Sequence, residues 1–527
     1  MLRKQGIVHD IVKIAETIYG NISDKVVSFL DEKRMRSFFS VCLCIFLLFG
    51  RVAHAVDQQK MRSTELKNGM KVYVIQNNSL PIVMHMLIYK VGGVDDPPGL
   101  SGIAHYFEHM MFSGTKKFPK FSDVIDGLGG DLNAETSSSY TAYHELVHKK
   151  HLPLMMEMEA DRMQSLRLVD KYLERERNVV REERKMRVES TKQALLAEEV
   201  FNVFYRNGYG RPVIGWDHEI SNYNKEAANA FYRKYYNPNN AILLVVGDVD
   251  FGEVVRLANQ HYGKIKNRHE RVEKKFAANI EPPHRSEIIV KMSHHTISDP
   301  EVMMLYKAPS VSTESDNKVM LAAHIAVDIV AGDAFGVLYN ELVKNRSLAT
   351  SVFGEYSELV GSDGVVSVEL LPKLGASPED INREAKEVIA DLMERGVTEE
   401  LVNSAKYRSM AHFTYGLDGV VSMARFYADT LAAGAEPLAP EDVLKTIKSI
   451  TVEDVNSVLR RIFSEASVTA YLTGDEHDGE DEYDEEMLGS QDISQPEEGS
   501  DIATEFPRED EAMWSPDDES IVSVTEA

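Results

Sequence analysis

Cysteine is almost absent from this chain of 527 residues, which contains only Cys42 and Cys44. Both lie in the apolar segment SFFSVCLCIFLLFG, so the rest of the chain has no thiol that could form a disulfide or serve as a nucleophile. The same segment is the only long apolar run, and its 14 residues fall short of the roughly 20 that a helix needs to cross a bilayer. We therefore predict no stable membrane span once this segment is removed.

The apolar segment follows the basic residues of EKRMR and precedes RVAHA, which ends in a small-x-small pattern. A basic flank, a short apolar core and a small-residue end are the three parts of a secretory signal peptide. We predict a signal at residues 35–55 with cleavage after Ala55, which makes residues 1–34 an upstream extension. Export without disulfides favours the periplasm of a Gram-negative bacterium.

An excess of basic residues is also lacking, because 84 acidic residues outweigh 58 Lys and Arg and give a formal net charge of -26. Most of that charge lies in residues 475–527, which contain 21 acidic residues and one basic residue. We predict that these residues form a disordered acidic tail. The remaining body is only mildly acidic and has no basic surface that would indicate nucleic-acid binding.

The body shows the same order of patterns twice. Two alternating apolar runs flank NNSLP near its start, helical periodicity follows around residues 100–113, 120–128, 152–165 and 171–205, and NAILLVVGDV closes the unit. After the proline-containing connector NIEPPHRSE the pattern restarts with IIVKM and VMMLYKAP and ends on ASVTAYLTGD. This indicates two α+β halves, residues 56–280 and 281–474, and favours a duplication.

Two short motifs in the first half contain paired histidines, HYFEH at residues 105–109 and HELVH at residues 144–148. Ligands four apart lie about 6 Å from each other on a helix but about 13 Å apart on a strand, too far for two metal bonds of about 2 Å. The apolar residues around the first motif have helical spacing. The second lies in β-branched and aromatic sequence that favours a strand. We therefore predict that His144 and His148 are not ligands, but a cross-strand or solvent-facing pair.

A third ligand is expected on the charged segment YLERERNVVREERKMR. Glu176, Val179, Val180 and Glu183 recur there at helical spacing and form an inward stripe that mixes carboxylates with apolar residues. Buried acids of this kind need a cation. Glu182 is turned about 100° from the stripe and is the weaker candidate.

These motifs resemble the inverted zinc-peptidase family that contains pitrilysin, the insulin-degrading enzyme and the mitochondrial processing peptidase. The resemblance rests on LKNGMKVYVIQN, GIAHYFEHMMFSGT, GGDLNAETSSSYTAY and ERERNVVREE, in that order. It implies one Zn²⁺ per chain bound by His105, His109 and Glu183, with Glu108 as the general base of peptide hydrolysis. Glu176 matches the supporting glutamate of the family.

The resemblance also implies the fold and the way substrates bind. We expect an α+β protein of two homologous α/β-sandwich halves with antiparallel-rich sheets, which forms a clam-like chamber with a partner subunit. The segment around Asn133 and Ala134 matches the edge strand on which the family binds peptides. We therefore expect peptides or unfolded polypeptides to add a strand there.

The second half departs from the family pattern. Active relatives usually carry an arginine and, seven residues later, a tyrosine that help to hold the substrate carbonyl, whereas this chain has Val343 and Thr350 at the matching positions. Arg346 is nearby but out of register. We therefore expect these groups to come from a homologous subunit that carries the arginine and tyrosine, or from a homodimer.

The sequence leaves two alternatives open. The missing arginine and tyrosine would also suit a non-catalytic structural or assembly subunit that keeps the peptidase fold. A conventional zinc site built from His144, Glu145 and His148 would require a helix where the sequence favours a strand.

Overall fold

The computed structural model describes residues 61–270, 281–358, 361–417, 419–435, 437–465 and 467–474. The predicted signal, both cysteines and the acidic tail lie outside the described residues. Within them, no helix is both long and apolar enough to cross a membrane.

The first half contains six strands and eight helices among its described residues. The strands are β1 (Met61–Glu65), β2 (Lys71–Gln76), β3 (Ile82–Tyr89), β4 (Asp131–Thr136), β5 (Thr141–His148) and β6 (Ala241–Gly247). The helices are α1 (Ile103–Met111), α2 (Phe121–Asp126), α3 (Leu152–Ser165), α4 (Asp170–Arg184), α5 (Lys192–Phe204), α6 (Asp217–Ile220), α7 (Lys225–Tyr235) and α8 (Phe251–His261). The sheet order is β1-β2-β6-β3-β5-β4, so β4 forms one edge.

The second half contains five strands and six helices among its described residues. The strands are β7 (Ile288–Ser293), β8 (Glu301–Ala308), β9 (Ala349–Ser357), β10 (Gly364–Pro372) and β11 (Val468–Thr473). The helices are α9 (Asn317–Ala331), α10 (Pro378–Arg395), α11 (Glu399–Gly416), α12 (Val420–Ala432), α13 (Pro440–Ser449) and α14 (Val452–Phe463). The sheet order is β7-β11-β8-β10-β9.

The two sheets share one topology, as the predicted duplication requires. In each, the first and last strands of the repeat pair in parallel, β2 with β6 and β7 with β11, while the remaining pairs in the repeat are antiparallel. Strand β1 is an addition to the first sheet, where it pairs with β2. By this correspondence β9 is the counterpart of the edge strand β4, and α9 is the counterpart of α1.

Each half covers one face of its sheet with its own helices and the other face with a helix from the opposite half. Residues of α12 pack against the apolar face of the first sheet that includes Met86, Ile242 and Leu244. Residues of α5 pack in turn against the second sheet, on the face that includes Leu305 and Ala470. The described body forms one compact unit, in which a helix of each half packs on the sheet of the other.

The helix expected over residues 171–205 is broken. Helix α4 ends at Arg184, a π-helical segment covers Lys185–Glu189, and α5 starts anew after Thr191. The Thr191 side chain accepts a hydrogen bond from the backbone N–H of Ala194, which is the ordinary N-cap arrangement. The break lets α5 leave the metal-site side of the first half and reach the second sheet.

Candidate metal centre

Helix α1 begins at a tightly packed glycine. Gly102 has a φ of +83°, and a Cβ placed there would lie 2.4 Å from the backbone oxygen of Ile214. The buried carboxylate of Asp96 accepts hydrogen bonds from the N–H groups of Gly102 (2.7 Å) and Ala104 (3.0 Å), which caps the helix. The start of α1 is thereby held in one position relative to the rest of the first half.

Three potential ligands meet between α1 and α4. One ligand atom each of His105, His109 and Glu183 can be chosen so that all lie within 4.8 Å of one another. The Glu183 Oε2 atom is 3.1 Å from His109 Nε2 and 3.6 Å from His105 Nε2. The helix predicted for the first motif is therefore present, and the carboxylate predicted on the charged segment faces it.

Two of these side chains contact neighbouring charged residues through the atoms that face away from the meeting point. Arg187 Nη1 lies 2.9 Å from Glu183 Oε1, which leaves Oε2 directed at the two imidazoles. Glu176 Oε2 lies 3.8 Å from His109 Nδ1, and Arg175 binds the other oxygen of Glu176 through Nε and Nη2 at 2.8 Å each. A carboxylate behind a ligating histidine is a common way to orient the ring.

The electrostatics keep His105 neutral and Glu183 charged. Burial, together with the nearby His109, lowers the pKa of His105 to about 3, which leaves its ring nitrogens free of the extra proton. Burial alone would raise the pKa of Glu183, but His109, His105 and Arg187 outweigh it and lower the pKa to about 2. Burial likewise opposes the charged form of His109, yet Glu176 and Glu183 raise its pKa to about 9.

The residues present fit a zinc ion. Glu183 Oε2 is buried, and its contacts with the two imidazoles do not meet the geometry of a hydrogen bond. A buried charged oxygen without a donor is costly, and a cation at this point would satisfy it. Two imidazoles and one carboxylate are a donor set typical of catalytic zinc sites.

Glu108 lies on the same helix and contacts the edge strand. Its Oε2 accepts a hydrogen bond of 2.6 Å from Thr136 Oγ1 at the end of β4. Burial raises the pKa of Glu108 above its ordinary value. Asn133 and Ala134 lie on the same strand, which pairs with β5 on one side and has no strand on its other side within the described part of the chain.

The second motif lies on β5, as predicted. Strand geometry puts His144 and His148 on one face, but they differ from the expected pair, because His144 is buried while His148 is exposed at the strand end. His144 is buried because its face of the sheet is covered by α12, which sequence patterns could not show. Glu145 points to the other face, where it lies 2.7 Å from His85 Nδ1.

Four residues around the site were not predicted. Arg187 is four positions after Glu183, so helical spacing could have identified it, and Arg175 is adjacent to Glu176 in the sequence. Asp96 and Thr136 reach the site from a loop and from a neighbouring strand. Nothing in the local sequence indicated either contact.

The two-half α+β fold and the inverted HxxEH helix define a class of peptidase-like proteins, and comparison with known families agrees. The family model described as insulinase (peptidase family M16) matches residues 71–216. The model described as the peptidase M16 inactive domain matches residues 222–408. The chain belongs to peptidase family M16, which confirms the family resemblance and the two-half fold.

Several relatives are named zinc proteases. The zinc protease PqqE of Helicobacter pylori is 27% identical over 459 residues, which is 84% of this chain and 98% of that protein. An uncharacterized zinc protease of Mycobacterium tuberculosis is 27% identical over 421 residues, 78% of this chain and 92% of that protein.

Two solved structures have the same fold as this chain. A protease from Helicobacter pylori aligns with a TM-score of 0.73 and 26% identity over 79% of this chain and 99% of that one. The first half of the periplasmic protease PqqL from Escherichia coli aligns with a TM-score of 0.66 over 79% of this chain and 92% of that one. Its identity of 17% supports the fold alone.

Proposed function

We propose that this protein is a zinc-dependent endopeptidase that hydrolyses peptides or unfolded polypeptides, with one Zn²⁺ held by His105, His109 and Glu183. The observation that carries the proposal is the meeting of these three side chains beside Glu108 and an edge strand. The zinc-protease names of the relatives support the same activity.

Each residue has a chemical task in this proposal. Zinc in such a donor set supplies Lewis acidity that activates water and polarises a carbonyl. Glu108 takes a proton from the attacking water and passes it to the leaving amine, and its raised pKa suits a group that must both accept and donate. Glu176 positions the ring of His109, while Thr136 holds the Glu108 carboxylate towards β4.

The substrate would bind as an added strand along β4, with Asn133 and Ala134 near the scissile bond. An edge strand presents unpaired backbone groups that an extended peptide can join. Folded proteins seldom offer such a segment, so this mode of binding favours short or unfolded chains.

We further propose that full activity needs a homologous partner or a second copy of this chain, enclosing the substrate in a chamber. The side chain of Val343 packs against the core of the second half. Thr350 Oγ1 donates to the backbone oxygen of Leu371, and Arg346 is paired with Glu384 and Glu341. None of the three is available within the described contacts as a free donor for the substrate carbonyl.

The same three contacts favour a second candidate function, that of a structural or assembly subunit without catalysis. It differs from the first in one measurable respect, because it requires neither zinc nor Glu108. For the location of the protein we propose the periplasm, supported by the signal pattern at residues 35–55.

The test compares the purified wild-type chain with two variants in cleavage of an internally quenched peptide, after zinc content has been measured. Glu108→Gln removes the base, and Glu182→Gln is the matched control because its side chain is 65% exposed and bonds only Lys185 in the described contacts. We expect one zinc per chain in all three proteins and cleavage by the wild type and Glu182→Gln alone.

Two other results separate the alternatives. If all three proteins bind zinc and none cuts, the chain needs a partner that supplies the missing groups. If the wild type binds no zinc and its peptide cleavage equals that of Glu108→Gln, the peptidase proposal is wrong and the assembly role stands.

A further inference from the structure

A cavity of about 700 Å³ lies beside the far end of the edge strand, outside the metal centre. Its wall on the first half is the turn Ser137–Tyr140, which follows β4 directly. The rest of its wall comes from the second half, from α9, the end of β9, α11, α12, α13 and the loops next to them. A peptide that extends along β4 past Thr136 would therefore reach this cavity.

The cavity is rich in aromatic rings. Its lining includes Tyr140, Tyr356, Phe413, Phe426 and Tyr427. Phe426 makes edge contacts with Phe413 and Tyr427, with ring centroids 5.3 Å and 4.9 Å apart. Grouped rings of this kind attract a cation to their faces, and arginine and lysine are the cations that peptides carry.

The charge of the cavity has one sign. Glu355, Glu358 and Asp429 line it, whereas no Lys or Arg of the described chain belongs to its lining. His324 Nε2 lies 2.8 Å from Glu358 Oε1 and offsets part of that charge. Burial raises the pKa of Asp429; a hydrogen bond with Tyr140 opposes the rise, and Glu135 and Glu358 add to it, so these acids lie close enough to disfavour one another's charge.

We infer that this cavity binds a basic side chain, arginine or lysine, of the polypeptide substrate. The inference rests on the proposed peptidase function and adds a substrate class to it. Three carboxylates and five aromatic rings around one cavity provide both charge attraction and cation–π contact. A strand rises about 3.3 Å per residue, so the distance from Ala134 to Ser138 places the basic residue roughly three to five positions from the scissile bond.

The test measures binding rather than turnover. Fluorescence anisotropy follows labelled 15-residue peptides binding to the full-length Glu108→Gln protein, which leaves the cavity intact. One set carries a single arginine three to five positions from the centre on either side, and the matched set carries neutral citrulline there. A third set is the arginine set with its N-terminus acetylated. We expect the arginine peptides to bind about tenfold tighter than citrulline at one of these positions.

Three further substitutions in the same background assign the preference to the cavity. Asp429→Asn and Glu355→Gln each remove a carboxylate from the lining and keep the size of the side chain, so folding should be retained. Glu394→Gln removes an exposed carboxylate from α10, outside the lining, and serves as the control. We expect the first two to reduce the arginine preference to about threefold or less and Glu394→Gln to leave it unchanged.

Several outcomes would overturn the inference. Equal binding of arginine and citrulline peptides would do so, as would an arginine preference that Asp429→Asn and Glu355→Gln leave intact. If acetylation of the peptide N-terminus abolishes binding while citrulline and arginine peptides bind equally well, the cavity binds the N-terminal ammonium group of a peptide instead. Cleavage of both peptide sets by the wild type at equal rates would reject the basic-residue preference and keep the peptidase. Selective binding by a wild-type protein that holds no zinc and cuts neither peptide set would reject the peptidase alone.

Discussion

Replacing Glu176 with glutamine isolates the contribution of the carboxylate behind His109. The glutamine keeps the shape of the side chain but removes the charge that lies 3.8 Å from His109 Nδ1. Carboxylates behind ligating histidines typically contribute about 10 to 100-fold to metal affinity. Because Arg175 shares the charge of Glu176 through the other oxygen, we expect the lower part of that range, an affinity for zinc about tenfold weaker, or about 1.4 kcal/mol.

The assay is competitive titration of zinc with a fluorescent chelator on metal-free protein. Glu182→Gln is the control, since it removes the same charge from the same helix where the side chain is exposed. For Arg175→Gln we expect the opposite result. Without the arginine, the negative charge of Glu176 is no longer shared with a cation, so this variant should bind zinc at least as tightly as wild type. The melting temperature of each metal-free variant shows whether the fold has been retained.

Equal zinc affinities of Glu176→Gln and Glu182→Gln would refute the role of Glu176. It is also refuted if Arg175→Gln weakens zinc binding as much as Glu176→Gln. The first result would mean that the observed contact does not orient His109, and the second that Arg175 acts on the site directly.

Three more predictions concern stability and the metal. Gly102→Ala should lower the free energy of unfolding by about 2 kcal/mol or more in urea titration. Gly129 has a similar positive φ but open space around it, so Gly129→Ala should lower this free energy by only about 1 kcal/mol. Equal losses in the two variants would contradict the close approach of Gly102 to Ile214. Chelation should lower the melting temperature of wild type, since saturation at 100 times Kd adds about 2.7 kcal/mol, and an equal drop in Glu183→Gln would contradict the ligand assignment. Burial lowers the pKa of His85 to about 4, so below pH 6.5 the unfolded chain takes up a proton at this residue that the folded chain does not. The contribution of His85 to the free energy of unfolding should therefore fall by up to about 3 kcal/mol as the pH drops towards 4. His85→Gln should flatten that part of the curve in unfolding measurements, and an unchanged slope would contradict the assignment.

Sequence patterns predicted most of the secondary structure and the convergence at the candidate site. His105, Glu108 and His109 share a helix because apolar residues around them recur at helical spacing, and Glu183 was identified by its place on a stripe with Val180. These are local signals, and the decision between the two histidine motifs required only the geometry of a helix and a strand. The role of each residue in catalysis stays a prediction.

Contacts between distant segments were beyond such patterns. The burial of His144 depends on α12, which is made from residues far along the chain. The cavity at the end of β4 combines Tyr140 with Glu355 and Asp429, three residues that share no local motif. Local periodicity shows which face of an element is apolar, but not which other element will cover it.

The exchange of covering helices between the two halves has a consequence for synthesis. The first sheet is complete when β6 leaves the ribosome, yet the apolar face that includes Met86 and Leu244 stays uncovered until α12 has been made. At about 5 to 20 residues per second this delay lasts on the order of ten seconds or more. During that time the nascent chain exposes an apolar surface that is prone to aggregation. A chaperone that binds this surface until α12 is available would therefore raise the yield of folded protein.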